Sequence, residues 1–309
     1  MASAVYAIRQ QVPGVSQIVR IATFVTVGAM HMEVMAVNDM RCSAAAPNEG
    51  SSCSRTLVAV SNYFNGSSYD INSSIYAFDC DFLDPNVGPG VDVTMKLVQE
   101  FKTQGARTMT HLALSAQVIL LAVANEKGDS VSLMTWDHES MRFDFVAEHV
   151  CAAPTFLVSW VGEYGDDGFG FIAAASNVGD TVILRVDSAA NIRVVQSLLT
   201  GPANALSVFT GHLAKASWSG RERCLMVAVR ALAGERQASS EIHCSQPSSD
   251  DFGAGEGRWI RHFIVDTKDS GAIELIDLEG FRFMLSGNGF GRDMEVKYPF
   301  CLGTCTCIS

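Results

Sequence analysis

The sequence predicts an all-β chain of propeller type, and three observations carry that reading. One phrase recurs five times along the 309 residues, each copy holds several strand-length apolar runs, and Gly, Asn, Asp and Ser separate the runs. Repetition of a β-rich unit at this period marks propeller blades rather than a helical solenoid. A single four-stranded blade cannot cover its own apolar faces, whereas stacked neighbours bury them mutually.

The clearest copy, second in the chain, runs Thr103-Gln104-Gly105-Ala106, then Leu121-Ala122-Val123-Ala124-Asn125, then Ser130-Val131-Ser132-Leu133-Met134-Thr135-Trp136-Asp137. The first copy gives Val27-Gly28-Ala29, Leu57-Val58-Ala59-Val60-Ser61-Asn62 and Ser73-Ser74-Ile75-Tyr76-Ala77-Phe78-Asp79. The third gives Cys151-Ala152-Ala153, then Ala173-Ala174-Ala175-Ser176-Asn177, which sets Asn177 beside Asn125, then Val182-Ile183-Leu184-Arg185-Val186-Asp187. In the fourth, after Gly201-Pro202-Ala203, Arg230 takes the Asn place behind Leu225-Met226-Val227-Ala228-Val229, and the strand 239–244 follows. The fifth gives Ser270-Gly271-Ala272, Met284-Leu285-Ser286-Gly287-Asn288 and 293–298. Alternation within these runs predicts that each repeat forms its own antiparallel sheet. The recurring alanines read either as strands crowding a central axis or as tight packing between sheets.

The chain opens on Ser3-Ala4-Val5-Tyr6-Ala7-Ile8, which matches Ser73-Ser74-Ile75-Tyr76-Ala77-Phe78 and so reads as a lone terminal strand of a repeat whose earlier strands are absent. That is one strand too many for five blades. The expectation is a ring not closed by its own ends, with the surplus strand completing a blade of upstream sequence or docking on another copy. An array running end to end argues for one domain over 1–309, with insertions at about 38–56 and 231–257. Long polar loops on a rigid scaffold commonly carry recognition.

A formal net charge of -11 and the lack of any Lys/Arg-rich run exclude the electrostatic footprint of a nucleic-acid binder. No uninterrupted apolar run reaches the roughly 20 residues of a membrane helix, so insertion in a membrane is not expected. Residues 1–10 lack the charged and apolar regions of a signal peptide. Of nine cysteines, Cys42 and Cys53 bracket a compact polar insertion and form the preferred disulfide. The triplets Asn65-Gly66-Ser67 and Asn72-Ser73-Ser74 are glycosylation candidates around a turn. Cysteines and sequons together favour an extracellular or cell-surface protein.

The phrases Thr103-Gln104-Gly105-Ala106, Leu121-Ala122-Val123-Ala124-Asn125 and Ser132-Leu133-Met134-Thr135-Trp136-Asp137 resemble the epilepsy-associated (EAR, or epitempin) repeat, and the resemblance spans nearly the whole chain. It implies a seven-bladed β-propeller on the outside of cells, without catalytic activity, that binds a protein partner in adhesion or assembly. Five copies and one strand are visible against that count. Two rivals stand beside this reading: a structural subunit of a larger surface assembly or filament, and a glycan-acting propeller enzyme.

Catalytic patterns are sparse. There is no Gly-x-Ser-x-Gly elbow, and Gly287-Asn288-Gly289-Phe290-Gly291 leads into a strand rather than a helix that would hold a phosphate. Ser249, Asp251 and Gly253 fit a sialidase-type turn, yet Glu256 stands where its Trp belongs. Cys301, Cys305 and Cys307 with His243 and Cys244 lack the paired knuckle of a zinc site. His138 and Glu139, and the acidic run 163–168, read as solvated turns. No cofactor is expected, and calcium is the one ion left open: Asp129 and Asp180 occupy the same turn of consecutive repeats. Against it, Asp in a turn usually bonds its own backbone.

Overall fold

A computed structural model describes residues 2–12, 15–38, 54–78, 95–162, 168–211, 222–229, 238–246, 258–267, 270–278, 281–288 and 294–299. The preferred Cys42–Cys53 pair, the cores of both insertions and the cysteines 301, 305 and 307 lie outside them. The described residues hold 21 strands and one short 3-10 turn. A hairpin of β1 (Ala2–Val12) and β2 (Val15–Val25) comes first. Four four-stranded sheets follow: β3 (Ala29–Asn38), β4 (Ser54–Asn62), β5 (Asp70–Phe78) and β6 (Met95–Gln104); β7 (Ala106–Ala113), β8 (Ile119–Asn125), β9 (Ser130–Asp137) and β10 (Arg142–Val150); β11 (Pro154–Val161), β12 (Phe169–Ser176), β13 (Thr181–Asp187) and β14 (Ile192–Leu198); and β15 (Ala203–Gly211), β16 (Glu222–Val229), β17 (Ala238–Gln246) and β18 (Arg258–Thr267). A three-stranded sheet of β19 (Ser270–Leu278), β20 (Phe281–Asn288) and β21 (Met294–Pro299) ends the series. Strands in each sheet follow chain order and pair antiparallel, so the fold is all-β and propeller-like.

The sheets are offset from the repeats by one strand. β6 leads into Gly105-Ala106 of the second repeat, yet it pairs with β5 of the first; a sheet therefore takes three strands from one repeat and its outermost strand from the next. This corrects the expectation that each repeat closes a sheet alone. The recurring Gly-Ala phrase is the link that makes the offset. Gly28, Gly105 and Gly201 stand at φ +63, +63 and +67, and Ala153 at +40, just before the first strand of the next sheet. Glycine takes this left-handed backbone without a Cβ penalty, which is why it holds three of these four positions. The opening strand is likewise not alone: β1 pairs with β2, Ser3 opposite Phe24, as the third- and fourth-strand partners do elsewhere.

Contacts divide the chain into two compact units, Met1–Gly128 with Ser132–Val146, and Asp129–Val131 with Ala147–Ser309. In unit 1 a core layer lies between the first two sheets, joining Leu57, Ala59 and Ile75 to Leu121, Val123, Trp136 and Phe143. In unit 2 the matching layer joins Phe171, Ala173 and Ile183 to Leu206, Leu225, Val227 and Trp259. Each fully buried Leu, Ile or Phe contributes about 1.5–3 kcal/mol. The second strands β8 and β12 are buried at every position. Their alanines therefore pack between sheets, and it is the first strands, such as β3 with β7 and β11 with β15, that meet side by side.

Candidate functional site

Four segments converge at one end of unit 1: the β2–β3 link, the β4–β5 turn, the β6–β7 link and η1 (Glu126–Gly128). Their backbones are tied together, with Tyr63 N donating to Gly28 O (3.0 Å), Gly105 N to Tyr69 O (2.7 Å) and Glu126 N to Gly105 O (3.1 Å). Both glycines are obligatory on two counts. Each is left-handed, and a Cβ would run into the Phe64 carbonyl oxygen at Gly28 and lie 2.8 Å from Lys127 Cγ at Gly105.

On this frame sits a charged and aromatic cluster. Glu126, only 6% exposed, accepts from Arg107 Nε at 3.2 Å and from Lys127 Nζ at 2.9 Å. The Arg107 guanidinium lies over the Tyr63 ring at 5.2 Å, and the Lys127 ammonium over the Tyr69 ring at 5.3 Å. Tyr69 meets Tyr63 edge-on at 5.1 Å and Phe64 at 4.7 Å. Phe64 and Tyr69 remain 37% and 38% exposed. Burial and then the Glu126 charge push the Tyr63 phenol above the ordinary value, against the pull of Lys127. The Lys127 ammonium is held above its usual range, foremost by its hydrogen bond to Glu126. The site thus offers aromatic surface to solvent beside a fixed carboxylate, ammonium and guanidinium.

None of these residues stands out in the sequence except as aromatics flanking Asn65-Gly66-Ser67. Arg107 and Glu126 come from strands and turns with no motif of their own.

Two other titratable groups are built into strands. His111 on β7 bonds Glu33 on β3, its Nδ1 at 2.6 Å and its backbone N at 3.0 Å from Oε1, while His31 Nδ1 accepts from Met109 N at 3.4 Å. Burial lowers the His31 pKa, with Glu33 opposing. In unit 2, Glu241 bonds His243 Nε2 and Arg261, each at 2.8 Å. Burial outweighs Glu241 and lowers the His243 pKa.

Each calcium candidate bonds backbone: Asp129 Oδ1 accepts from Ala153 N at 2.8 Å, and Asp180 Oδ1 from Gly201 N at 3.0 Å. Each carboxylate caps the link that follows its own sheet. Among the described residues no group of three or more His, Cys, Asp or Glu is arranged to hold a metal ion. The register also places the recurring Asn of the phrase. Asn62 and Asn125 face the first residue of their sheets' first strands, and Ser176, not Asn177, holds that position in the third sheet. His138 and Glu139 lie in the β9–β10 turn, where His138 Nε2 bonds Gln117 O at 3.0 Å. The sialidase-like residues 249–253 and most of the acidic run 163–168 lie outside the described residues.

A disulfide that the sequence reading did not single out joins Cys224 on β16 to Cys244, its direct partner on β17. Cys151 is free and buried. Among the described residues no helix is long and apolar enough to cross a membrane.

No family model and no curated protein matches the chain. Among solved structures it is similar to a chain of the nidogen/laminin complex, with a TM-score of 0.46 and 8% identity over 93% of this chain and 89% of that one. An exo-β-1,3-galactanase from Phanerochaete chrysosporium follows at 0.45 and 9%, covering 93% of this chain and 60% of that one. Trypanosoma rangeli sialidase gives 0.36 and 9%, covering 92% and 57%. The expectation of a chain without catalytic activity is corrected to an undecided one: the solved structures similar to it include glycosidases. One scaffold hosts catalytic and non-catalytic sites, so fold does not decide between them.

Proposed function

We propose that the chain recognises glycans at the aromatic and charged end of unit 1. The observation that carries this reading is the exposure of the Phe64 and Tyr69 rings beside the Arg107–Glu126–Lys127 network. A pyranose has one face of C–H bonds and a rim of hydroxyls, so it suits an aromatic platform with a few fixed donors and acceptors beside it. Binding of the purified chain to immobilised glycans tests this, with Phe64→Ala and Tyr69→Ala each expected to weaken it by about tenfold, the order of one lost aromatic contact. A chain that binds no glycan, or variants that bind as the parent does, would refute it.

A second reading makes the same end a place where glycosides are cleaved. The Glu126 carboxylate lies beside the Tyr63 phenol, whose pKa burial and then that carboxylate raise, a pairing able to pass a proton or supply a nucleophile. Turnover of nitrophenyl glycosides that disappears in Tyr63→Phe and Glu126→Gln supports it; an inert parent rejects it.

Tyr and Arg are also the commonest anchors of protein interfaces, so the expected protein partner would use this surface too. The repeat phrases support an epitempin-type, disulfide-bonded extracellular protein. The buried Cys224–Cys244 pair fits an oxidising compartment.

A further inference from the structure

We infer that Asn65 is a site of N-linked glycosylation and that Asn72, seven residues on, is not an acceptor in the folded chain. Both carry the required hydroxyl two residues later, in Ser67 and Ser74. The fold treats the two triplets differently.

Asn65, Gly66 and Ser67 are all exposed at the tip of the β4–β5 turn. The Asn65 carboxamide is oriented from within the triplet, its Oδ1 accepting from Ser67 N (2.9 Å), Ser67 Oγ (2.9 Å) and Ser68 N (2.8 Å). With Oδ1 turned into the turn, Nδ2 on the other branch of the planar amide points out of it. Gly66 stands at φ +98 with open space where a Cβ would be. Among the described residues, its chain neighbours aside, none lies within 4 Å of the place a Cβ would take at Gly66.

Asn72 lies inside β5, opposite Lys102 of β6, with its carbonyl accepting from Asn62 Nδ2 at 2.8 Å. Its side chain is exposed, but the rest of the triplet is not. Ser73 is fully buried and its Oγ serves Asn62 N (3.1 Å) and Thr103 Oγ1 (3.0 Å). Ser74, which must supply the hydroxyl that the transferase reads, is 5% exposed. Reaching it requires opening a central strand.

The co-substrate is an oligosaccharide on a lipid diphosphate. The bond from the sugar's C1 to the phosphate oxygen breaks, Asn65 Nδ2 forms the new bond to C1 and loses one proton, and the lipid diphosphate leaves.

The test gives the full chain, folded and urea-unfolded, to a purified eukaryotic single-subunit oligosaccharyltransferase with its lipid-linked donor, and maps the products by mass spectrometry. The unfolded chain is modified at both positions. In the folded chain Asn65 is modified at least about tenfold faster than Asn72, since Ser74 becomes reachable only by local unfolding, and Ser67→Ala abolishes the Asn65 product. A folded chain left unmodified at Asn65 while the unfolded chain reacts, or modified equally at both, overturns the inference.

Discussion

Gln99→Ala is expected to loosen the edge of the second sheet. Gln99 sits on β6, the outermost strand of the first sheet, and its carboxamide spans to β10, the outermost strand of the next. Nε2 donates to Phe143 O at 2.6 Å and Oε1 accepts from Phe143 N at 2.8 Å. Phe143 lies on an edge strand, where backbone groups on one side have no ladder partner, and the amide side chain supplies both missing partners at once. Unit 2 repeats the device: Gln196 on β14 bonds Trp259 O and Trp259 N of β18, both at 2.9 Å. Two neutral hydrogen bonds of about 1 kcal/mol each put the loss near 2 kcal/mol, at the lower end because water can partly replace the lost partners. Hydrogen exchange of the Phe143 amide reads this locally. A change of about 2 kcal/mol corresponds to exchange roughly thirtyfold faster, without a comparable change deep in β8. Gln196→Ala should do the same to Trp259, and Gln99→Glu should rescue little, since a carboxylate cannot donate to Phe143 O. Unchanged exchange at Phe143 in Gln99→Ala would mean that the side chain is not what protects this edge.

The left-handed links, the disulfide and the buried thiol each carry further outcomes. Gly201→Ala, with a positive φ but open space around it, should cost about 1–2 kcal/mol in urea unfolding, the strain of a left-handed alanine. Gly28→Ala should cost more than that, because the Phe64 carbonyl must also move. Replacing Cys224 and Cys244 together by Ser releases a loop of 20 residues, for which chain entropy predicts a loss of roughly 3 kcal/mol, measured against the oxidised parent. Burial, then the Asp129 charge, push the Cys151 thiol up from 9.0 to about 11. It should therefore resist alkylation at neutral pH until the chain is unfolded. Because the folded pKa lies above the unfolded one, its contribution to stability is complete below about pH 9 and is lost as the pH rises towards 11. Cys151→Ala should flatten that slope.

The sequence by itself determined the strand content and the antiparallel, repeated character of the sheets, but not their number: five repeats were legible, and the described residues form six sheets. Alternating apolar runs bounded by Gly, Asn and Asp bury their faces as strands, and repetition of the phrase set sheet against sheet within each unit. It also marked the Gly-Ala links, whose left-handed backbone leaves a glycine signature. Tertiary structure decided what pairing decides. The one-strand offset was invisible, because a repeat phrase has the same period whichever strand is counted first. Ser176 rather than Asn177 faces Pro154, a pairing set by how β12 lies against β11 and not by the phrase. The disulfide joined cysteines 20 residues apart that only strand pairing sets opposite each other, whereas loop composition had pointed to Cys42 and Cys53. The cluster at the end of unit 1 draws Tyr63, Tyr69, Arg107, Glu126 and Lys127 from two sheets. No window of sequence contains them together, because adjacency between sheets is created by burial of their faces and not by the order of the chain.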